Sequence, residues 1–409
     1  MNQKENNLTF NNYYIIIHIT SMQSAKYSQK NKYSSRNNIT LANLKEDNKY
    51  KSYFKNSFKH KNKFLKLQFN HLFLLFIFIF MNLLSFIITQ NPRNLDSKNI
   101  IYLTVEGLNF QPIINPKFEP YLIYLNDIET EYYYGSIYID KNGKNKVTLV
   151  FNSSLEYLDY LFDSIKSIIE IDLSNFDSSK VSSMKGMFND CTNLKAINFN
   201  NFNTSLVNDM SLMFSNCESL VSLNLSNFDT SKVTTMEQMF YNCLLLTSLN
   251  LSNFITPELL TMNVMFYNCK SLKNIDISNI KTSKVIYMGN LFGECKSLTS
   301  IELNSFDTTN VISMYYLFSN CDKLTSLNLS SFNTSKVKNM EGMFYSCKNL
   351  LYLDLSNFIT SQVSIMSFMF YECFSLLSLN LSNFINYKVN MNYMFSYCYS
   401  LINISFLNA

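Results

Sequence analysis

Residues 217–242 read CESLVSLNLSNFDTSKVTTMEQMFYN, and this pattern recurs around every cysteine of the 409-residue chain. The nine cysteines are Cys191, Cys217, Cys243, Cys269, Cys295, Cys321, Cys347, Cys373 and Cys398. Seven of the steps between them are 26 residues long, and the last is 25. A fixed period of roughly 20–29 residues, with leucines at fixed places, is typical of a solenoid in which each repeat forms one coil. Position 1 of the repeat is the cysteine.

The first half of the repeat predicts a strand, and the second half predicts a short helix. Leu223 and Leu225 flank a polar residue, as in a half-buried strand. Met236, Met239 and Phe240 have the spacing of one face of a helix. Stacking buries the apolar side of both elements. We therefore expect an α/β leucine-rich-repeat solenoid of 26-residue repeats, with short parallel strands on one side and short helices on the other.

Position 14 predicts the start of this helix, because its side chain can accept a hydrogen bond from a free helix N–H group. Pro257 follows Thr256 and fits the first position of a helix. The residues at position 14 are Ser178, Thr204, Thr230, Thr256, Thr282, Thr308, Thr334, Thr360 and Asn386.

Phenylalanine and cysteine are expected to form buried columns along the solenoid. Position 12 carries phenylalanine in every repeat except at Ile280, and position 24 carries it throughout. Neighbouring coils would bring cysteine Cα atoms near the range that a disulfide bridges. The coils present each sulfur in the same inward direction, however, and the number of cysteines is odd. A column of reduced thiols that act as small apolar groups is therefore the favoured interpretation.

The chain before the repeats divides into three segments. Residues 1–71 contain 13 Lys/Arg and 3 Asp/Glu, and this polar basic tail is expected to be disordered. Residues 72–89 form an uncharged apolar run with lysines before it, which predicts a transmembrane signal anchor or a signal peptide with the repeats outside the cell. The protein would then be membrane-bound, or secreted if the run is cleaved.

Residues 90–164 are expected to form a β-rich N-terminal cap, whose last part is a degenerate first coil. Asn142 and Gly143 lie between two alternating segments and predict a β-hairpin there. The solenoid itself is expected to span residues 165–409.

The run C-x-x-L-x-x-L-x-L-S-N-F-x-T-S-x-V-x-x-M-x-x-M-F resembles the repeats of BspA-type surface proteins and the related mycoplasma-lipoprotein-type repeat. This resemblance covers about residues 165–409 and implies cell-surface adhesion and protein binding. It implies no catalytic residues. The chain departs from the mycoplasma members because no lipid-anchoring cysteine follows the apolar run.

The sequence predicts no catalytic, cofactor or metal site. His18, His60 and His71 all precede the apolar run, so the predicted external part has no histidine for base or metal chemistry. Glycine is scarce, no phosphate-binding loop is present, and the cysteines are too far apart for paired zinc ligands. Nucleic acid is not expected as a partner.

Position 8 is the candidate partner-binding site, since strand alternation places its polar side chain outward. It is occupied by Asp172, Asn198, Asn224, Asn250, Asp276, Glu302, Asn328, Asp354 and Asn380. The column could bind a protein loop, a glycan or calcium, or it could be an ordinary solvated sheet face. Four of the asparagines (Asn224, Asn250, Asn328 and Asn380) begin N-L-S sequons, which predict a glycoprotein.

Two functions are compatible with this sequence. The first is recognition at the cell surface, with adhesion to a protein or glycan on another surface, and with the membrane contacted through residues 72–89. The second is a structural surface coat that assembles through the ends and faces of the solenoid.

Overall fold

The computed structural model describes residues 99–384 and 389–406, all of which belong to one compact unit spanning 93–409. The expected tail (1–71), the expected anchor or signal (72–89) and the first residues of the cap lie outside the described residues. Within the described ranges, no helix has the length and apolar character needed to cross a membrane.

The N-terminal cap is a twisted sheet that continues into the first coils. Its strands are β1 (Ile100–Glu106), β2 (Asn109–Pro112), β3 (Leu122–Leu125), β4 (Ile128–Glu129), β5 (Ser136–Ile139), β6 (Lys144–Val150), β7 (Ile168–Asn175) and β8 (Ala196–Asn198). The main sheet has the order β4-β3-β6-β1-β7-β8, and β2 pairs separately with β5. Strand β7 pairs antiparallel with β1 and parallel with β8, so it joins the cap to the solenoid.

The predicted hairpin between β5 and β6 is wrong. A turn at Asn142 and Gly143 does connect the two strands, and Gly143 has φ 102°. The strands do not pair, however, because β1 and β3 occupy the two edges of β6, while β5 pairs with β2. The local turn signal was correct, and the pairing was decided by the rest of the sheet.

The solenoid has about nine coils, which are stacked along two lines of backbone contact. On the strand side lie β9 (Ser248–Asn250), β10 (Asn274–Asp276), β11 (Tyr352–Asp354), β12 (Ser378–Leu381) and β13 (Asn403–Phe406), which pair in parallel. At position 19, single parallel bridges link every coil to the next, from Tyr157 to Asn390. The phenylalanine rings at position 24 stack between coils, with centroids 5.5–5.8 Å apart.

The expected helices do not form, since none of the described residues lies in a helix. In a helix, each N–H group would bond to a carbonyl four residues earlier. Here Met236, Gln238 and Phe240 donate their N–H groups to carbonyls of the next coil, at 3.2, 3.0 and 2.9 Å. Gln238 and Asn242 have φ 57°, and such left-handed residues recur at positions 22 and 26. The segment is therefore a series of tight turns, and its helix-like spacing reflects these turns.

In the described coils, position 14 does not cap a helix, and this prediction is wrong as well, while Asn386 lies outside the described residues. The hydroxyl of Thr256 accepts the N–H group of Lys281 at 3.0 Å and donates to the carbonyl of the same residue at 3.0 Å. Thr282 makes the same pair of bonds with Asp307. The hydroxyl does accept a backbone N–H group, as predicted, but the group belongs to the next coil. These buried threonines hold adjacent coils together.

Candidate functional site

The cysteine column is buried and reduced, as predicted. All nine cysteines are free, eight are buried, and Cys398 is half-buried. The Sγ atom of each donates to a phenylalanine carbonyl 28 or 29 residues earlier in the chain, at 3.0–3.2 Å. Burial raises the pKa of these thiols, that of Cys398 to about 11. A protonated, inaccessible thiol is a poor nucleophile and a poor metal ligand.

The side chains at position 8 lie on the outer face of the strands and line up from coil to coil. Asp276 is paired with Asn250 in the strand register, and Asp354 with Asn380. Six of the nine side chains are exposed, and those of Asp172, Asn198 and Asn380 are half-buried. The structure therefore brings the predicted residues into one row. We call this row the position-8 column.

The position-8 column also has a structural role that sequence reasoning missed. In eight of the nine coils, the side-chain oxygen accepts the N–H group of the residue two places later, at 2.9–3.1 Å. This Asx turn ends the strand and fixes the side chain. Glu302 differs, because its carboxylate accepts a bond from the Asn304 amide at 3.2 Å. A short Asx side chain followed by Ser or Asn two residues later was the signal for this turn.

The position-8 column offers four carboxylates and five amides, which suit hydrogen bonding to a large partner. No group of three or more His, Cys, Asp or Glu side chains that could hold a metal ion occurs in residues 99–384 and 389–406.

A second surface, which the sequence interpretation did not include, lies on the turn side of the coils. Position 25 carries tyrosine in four coils, and these are Tyr241, Tyr267, Tyr345 and Tyr371. The rings of Tyr241 and Tyr267 stack with centroids 5.5 Å apart, and those of Tyr345 and Tyr371 with centroids 5.0 Å apart. The two coils between these pairs carry Gly293 and Ser319 instead. The column of tyrosines is therefore interrupted.

The interruption leaves an open hollow of about 420 Å³, which we call the tyrosine hollow. It is lined by Tyr267, Tyr316, Tyr345, Asn290, Glu294 and Asn320, among others. The Oε1 atom of Glu294 accepts a bond from the Asn320 amide at 2.7 Å, and its Oε2 atom lies 3.1 Å from the Nζ atom of Lys296. The break in the tyrosine column at Gly293 was the sequence signal that could have revealed this hollow.

The family model described as "Mycoplasma protein of unknown function, DUF285" matches residues 156–275, 243–350 and 300–405. These ranges together cover more than half of the chain. The chain belongs to the DUF285 family. The resemblance to the mycoplasma-type repeat is thereby confirmed. No curated protein matches the sequence.

Two solved structures are similar to this DUF285 chain. A leucine-rich repeat protein from Bacteroides ovatus ATCC 8483 is 19% identical, with a TM-score of 0.41 and a match covering 66% of each chain. A leucine rich cell surface protein from Faecalibacterium prausnitzii A2-165 is 16% identical, with a TM-score of 0.25. The second match covers 59% of this chain and 84% of that one.

Proposed function

We propose that this DUF285 chain is a cell-surface or secreted recognition protein that binds a macromolecular partner through its solenoid surface, with adhesion as its task. Residues 72–89 would anchor it in the membrane or direct its secretion, with the coils outside the cell. The partner would be a protein or a glycan on another surface.

One observation carries this proposal, namely the fixed display of the position-8 column. The Asx turns hold most of its side chains in one orientation, and the strands keep them in register from coil to coil. A partner that binds groups already fixed loses less conformational entropy than one that must order flexible side chains. Extended, repetitive surfaces of this kind are what solenoids offer to large partners.

The experiment measures binding of the full-length chain to intact cells by flow cytometry. The test variant combines Asp276→Asn, Glu302→Gln and Asp354→Asn. Each amide keeps the size of the carboxylate and one acceptor oxygen, so the Asx turns at residues 276 and 354 remain while three negative charges are lost. We expect binding to fall at least about tenfold. Removing a charge from one side of an interface weakens the complex strongly, because the partner's group loses its hydrogen-bonded counterpart.

The matched control removes three carboxylates elsewhere, with Glu218→Gln, Glu237→Gln and Glu258→Gln. We expect this control to bind like the wild type. Unchanged binding by the test variant would contradict a strand-face site. An equal loss in both variants would indicate a general charge effect, which also contradicts it.

A second candidate is the structural coat, which exposed apolar side chains in the last described coil favour. The side chains of Tyr393, Tyr399 and Ile402 are 64%, 76% and 78% exposed. Exposed apolar patches often mark contacts with other molecules. If the coat proposal holds, the purified chain sediments as ordered assemblies without any ligand, and Tyr399→Ser with Ile402→Ser yields monomers. A wild-type chain that remains monomeric contradicts it.

A further inference from the structure

We propose that the tyrosine hollow binds a neutral saccharide. This assignment rests on the proposed function, namely that the chain is a recognition protein, and it names one class of ligand. The hollow lies on the turn side of the coils and does not include the position-8 column.

The walls of the hollow are aromatic faces that the fold holds in place. Tyr267 and Tyr345 are three coils apart, a distance of about 14 Å at the usual spacing between strands. Tyr316 lies between them, with its ring centroid 5.9 Å from that of Tyr345. Gly342 lies directly against the ring of Tyr316, and a Cβ atom there would overlap that ring. A pyranose ring presents a flat face of C–H groups, which such half-buried aromatic faces can accept.

The polar groups around these walls match hydroxyl groups. Asn290 and Asn320 supply amide donors and acceptors, and Glu294 supplies carboxylate oxygens with remaining lone pairs. Burial and nearby carboxylates raise the pKa of Tyr316 and Tyr345, so their hydroxyls remain protonated donors. The volume of about 420 Å³ is at the lower end of the size of ligand pockets, which suits one or two sugar units.

Charge decides between a neutral sugar and a cation. Several tyrosines beside a carboxylate could form an aromatic cage for a quaternary ammonium group. Here the Nζ atom of Lys296, 3.1 Å from Glu294, neutralises that carboxylate and would repel a second cation. The observations therefore favour an uncharged ligand that has both an apolar face and hydroxyl groups.

The test uses saturation-transfer NMR on the full-length chain, in buffer free of sugar-based detergent. The probes are methyl glycosides of glucose, galactose, mannose and N-acetylglucosamine, each at roughly 10 mM because single sugars are expected to bind with millimolar constants. We expect transfer to the ring protons of at least one glycoside. We also expect choline chloride at the same concentration not to displace it.

The decisive variant is Gly293→Tyr, which continues the tyrosine column and fills the hollow. The coil carries tyrosine at position 25 in Tyr241 and Tyr267, but a Cβ atom at Gly293 would lie 2.9 Å from the Tyr267 ring, so this ring must shift in the variant. Ser319→Tyr is the second variant if the first does not fold, and Tyr352→Leu, an exposed residue on the strand side, is the matched control. We expect the column variants to reduce transfer at least about tenfold and the control to leave it unchanged.

Three results would overturn the proposal: no glycoside binds the wild type, glycoside binding survives both column variants, or choline displaces the sugar. The cell-binding assay separates this failure from failure of the proposed function. A chain that binds cells through the position-8 column but binds no glycoside disproves only the saccharide site. If Gly293→Tyr loses both glycoside and cell binding, the sugar is carried by the cell-surface partner. If it loses only glycoside binding, the ligand is a free sugar.

Discussion

Single residues hold the coils together through hydrogen bonds that run along the solenoid. The threonines at position 14 bond to the next coil, the cysteine thiols bond to phenylalanine carbonyls 28 or 29 residues earlier, and several position-26 side chains bond to their neighbours in the adjacent coil. The Asn268 amide, for example, donates to the Oδ1 atom of Asn242 at 2.6 Å. A buried polar group contributes little net stability when paired but costs much when its partner is removed. The threonines at position 14 and the cysteines are therefore structural even though all of them are polar or titratable.

The substitution Thr256→Val should destabilise the protein by about 1–3 kcal/mol, because it leaves the N–H and C=O groups of Lys281, whose bonds to Thr256 are partly buried, without their partner. Valine has nearly the same shape as threonine, so packing changes little. Thr256→Ser keeps the hydroxyl and is the control. The measurement is the free energy of unfolding in urea. Equal stability of the valine and serine variants would show that the two bonds are unimportant.

The buried thiols make stability depend on pH. Burial raises their pKa above the ordinary thiol value of 9.0, to about 11 for Cys398. A raised pKa in the folded state contributes stability that is complete below the unfolded value and is lost as pH rises. We expect the free energy of unfolding, measured in urea with reductant, to fall between about pH 9 and pH 11.

The control variant Cys217→Ala has one buried thiol fewer and should therefore lose less stability than the wild type over this pH range. Identical pH profiles for the two proteins would contradict the role of the thiols. The same column should resist alkylation until the protein is unfolded.

At the scale of elements, the sequence predicted the strand and the core but not the turns. Leu249 and Leu251 are buried and flank exposed Asn250, as the alternation required. The spacing of Met236, Met239 and Phe240 was interpreted as a helix because hydrophobic spacing alone does not distinguish one helix from successive tight turns. The tight turns are distinguished from a helix by residues with left-handed backbone conformation and by N–H groups that bond to carbonyls of the next coil. Asparagine at position 26, as in Asn242, was a partial signal, since asparagine tolerates this conformation.

The two candidate surfaces also differ in how far the sequence predicts them. The position-8 column could be predicted, because alternation decides which side of a strand faces water. Its Asx turns depend on local backbone geometry after the strand. The tyrosine hollow could not be predicted from a single repeat, since it arises from differences between coils at Gly293 and Ser319.

The substitution Phe240→Ala tests the stacked aromatic element. The ring is fully buried and stacks against Phe214 and Phe266 at 5.5 Å. We expect a loss of about 3–5 kcal/mol, because a cavity remains between rigid neighbours. The matched control is Phe110→Ala on the exposed surface of the cap, which loses only an edge-on contact with Tyr138 and should cost about 0.5–1.5 kcal/mol. A small loss at Phe240 would mean that position 24 does not pack as described.

At the scale of the whole molecule, the described coils form one continuous β-solenoid. Each coil contacts only its neighbours, so stability is a sum of coil and interface contributions, and strong interfaces make the coils unfold together. The bridges at position 19 and the phenylalanine stack run through the coils without interruption. Such a rigid array presents both the position-8 column and the tyrosine hollow in fixed positions, which is what recognition of a large partner requires.

Hydrogen–deuterium exchange of peptides from each coil, measured by mass spectrometry, tests this central claim most directly. In a continuous solenoid, the N–H groups at positions 20, 22, 24 and 26 bond to the next coil, so peptides spanning positions 19–26 of the central coils should be protected as strongly as the strands and should open with them. If these segments were separate short helices, they would be marginal by themselves and would exchange early while the strands stayed protected. We expect equal protection of the two halves of the coil, and early exchange of positions 19–26 would show that these segments do not belong to one continuous solenoid.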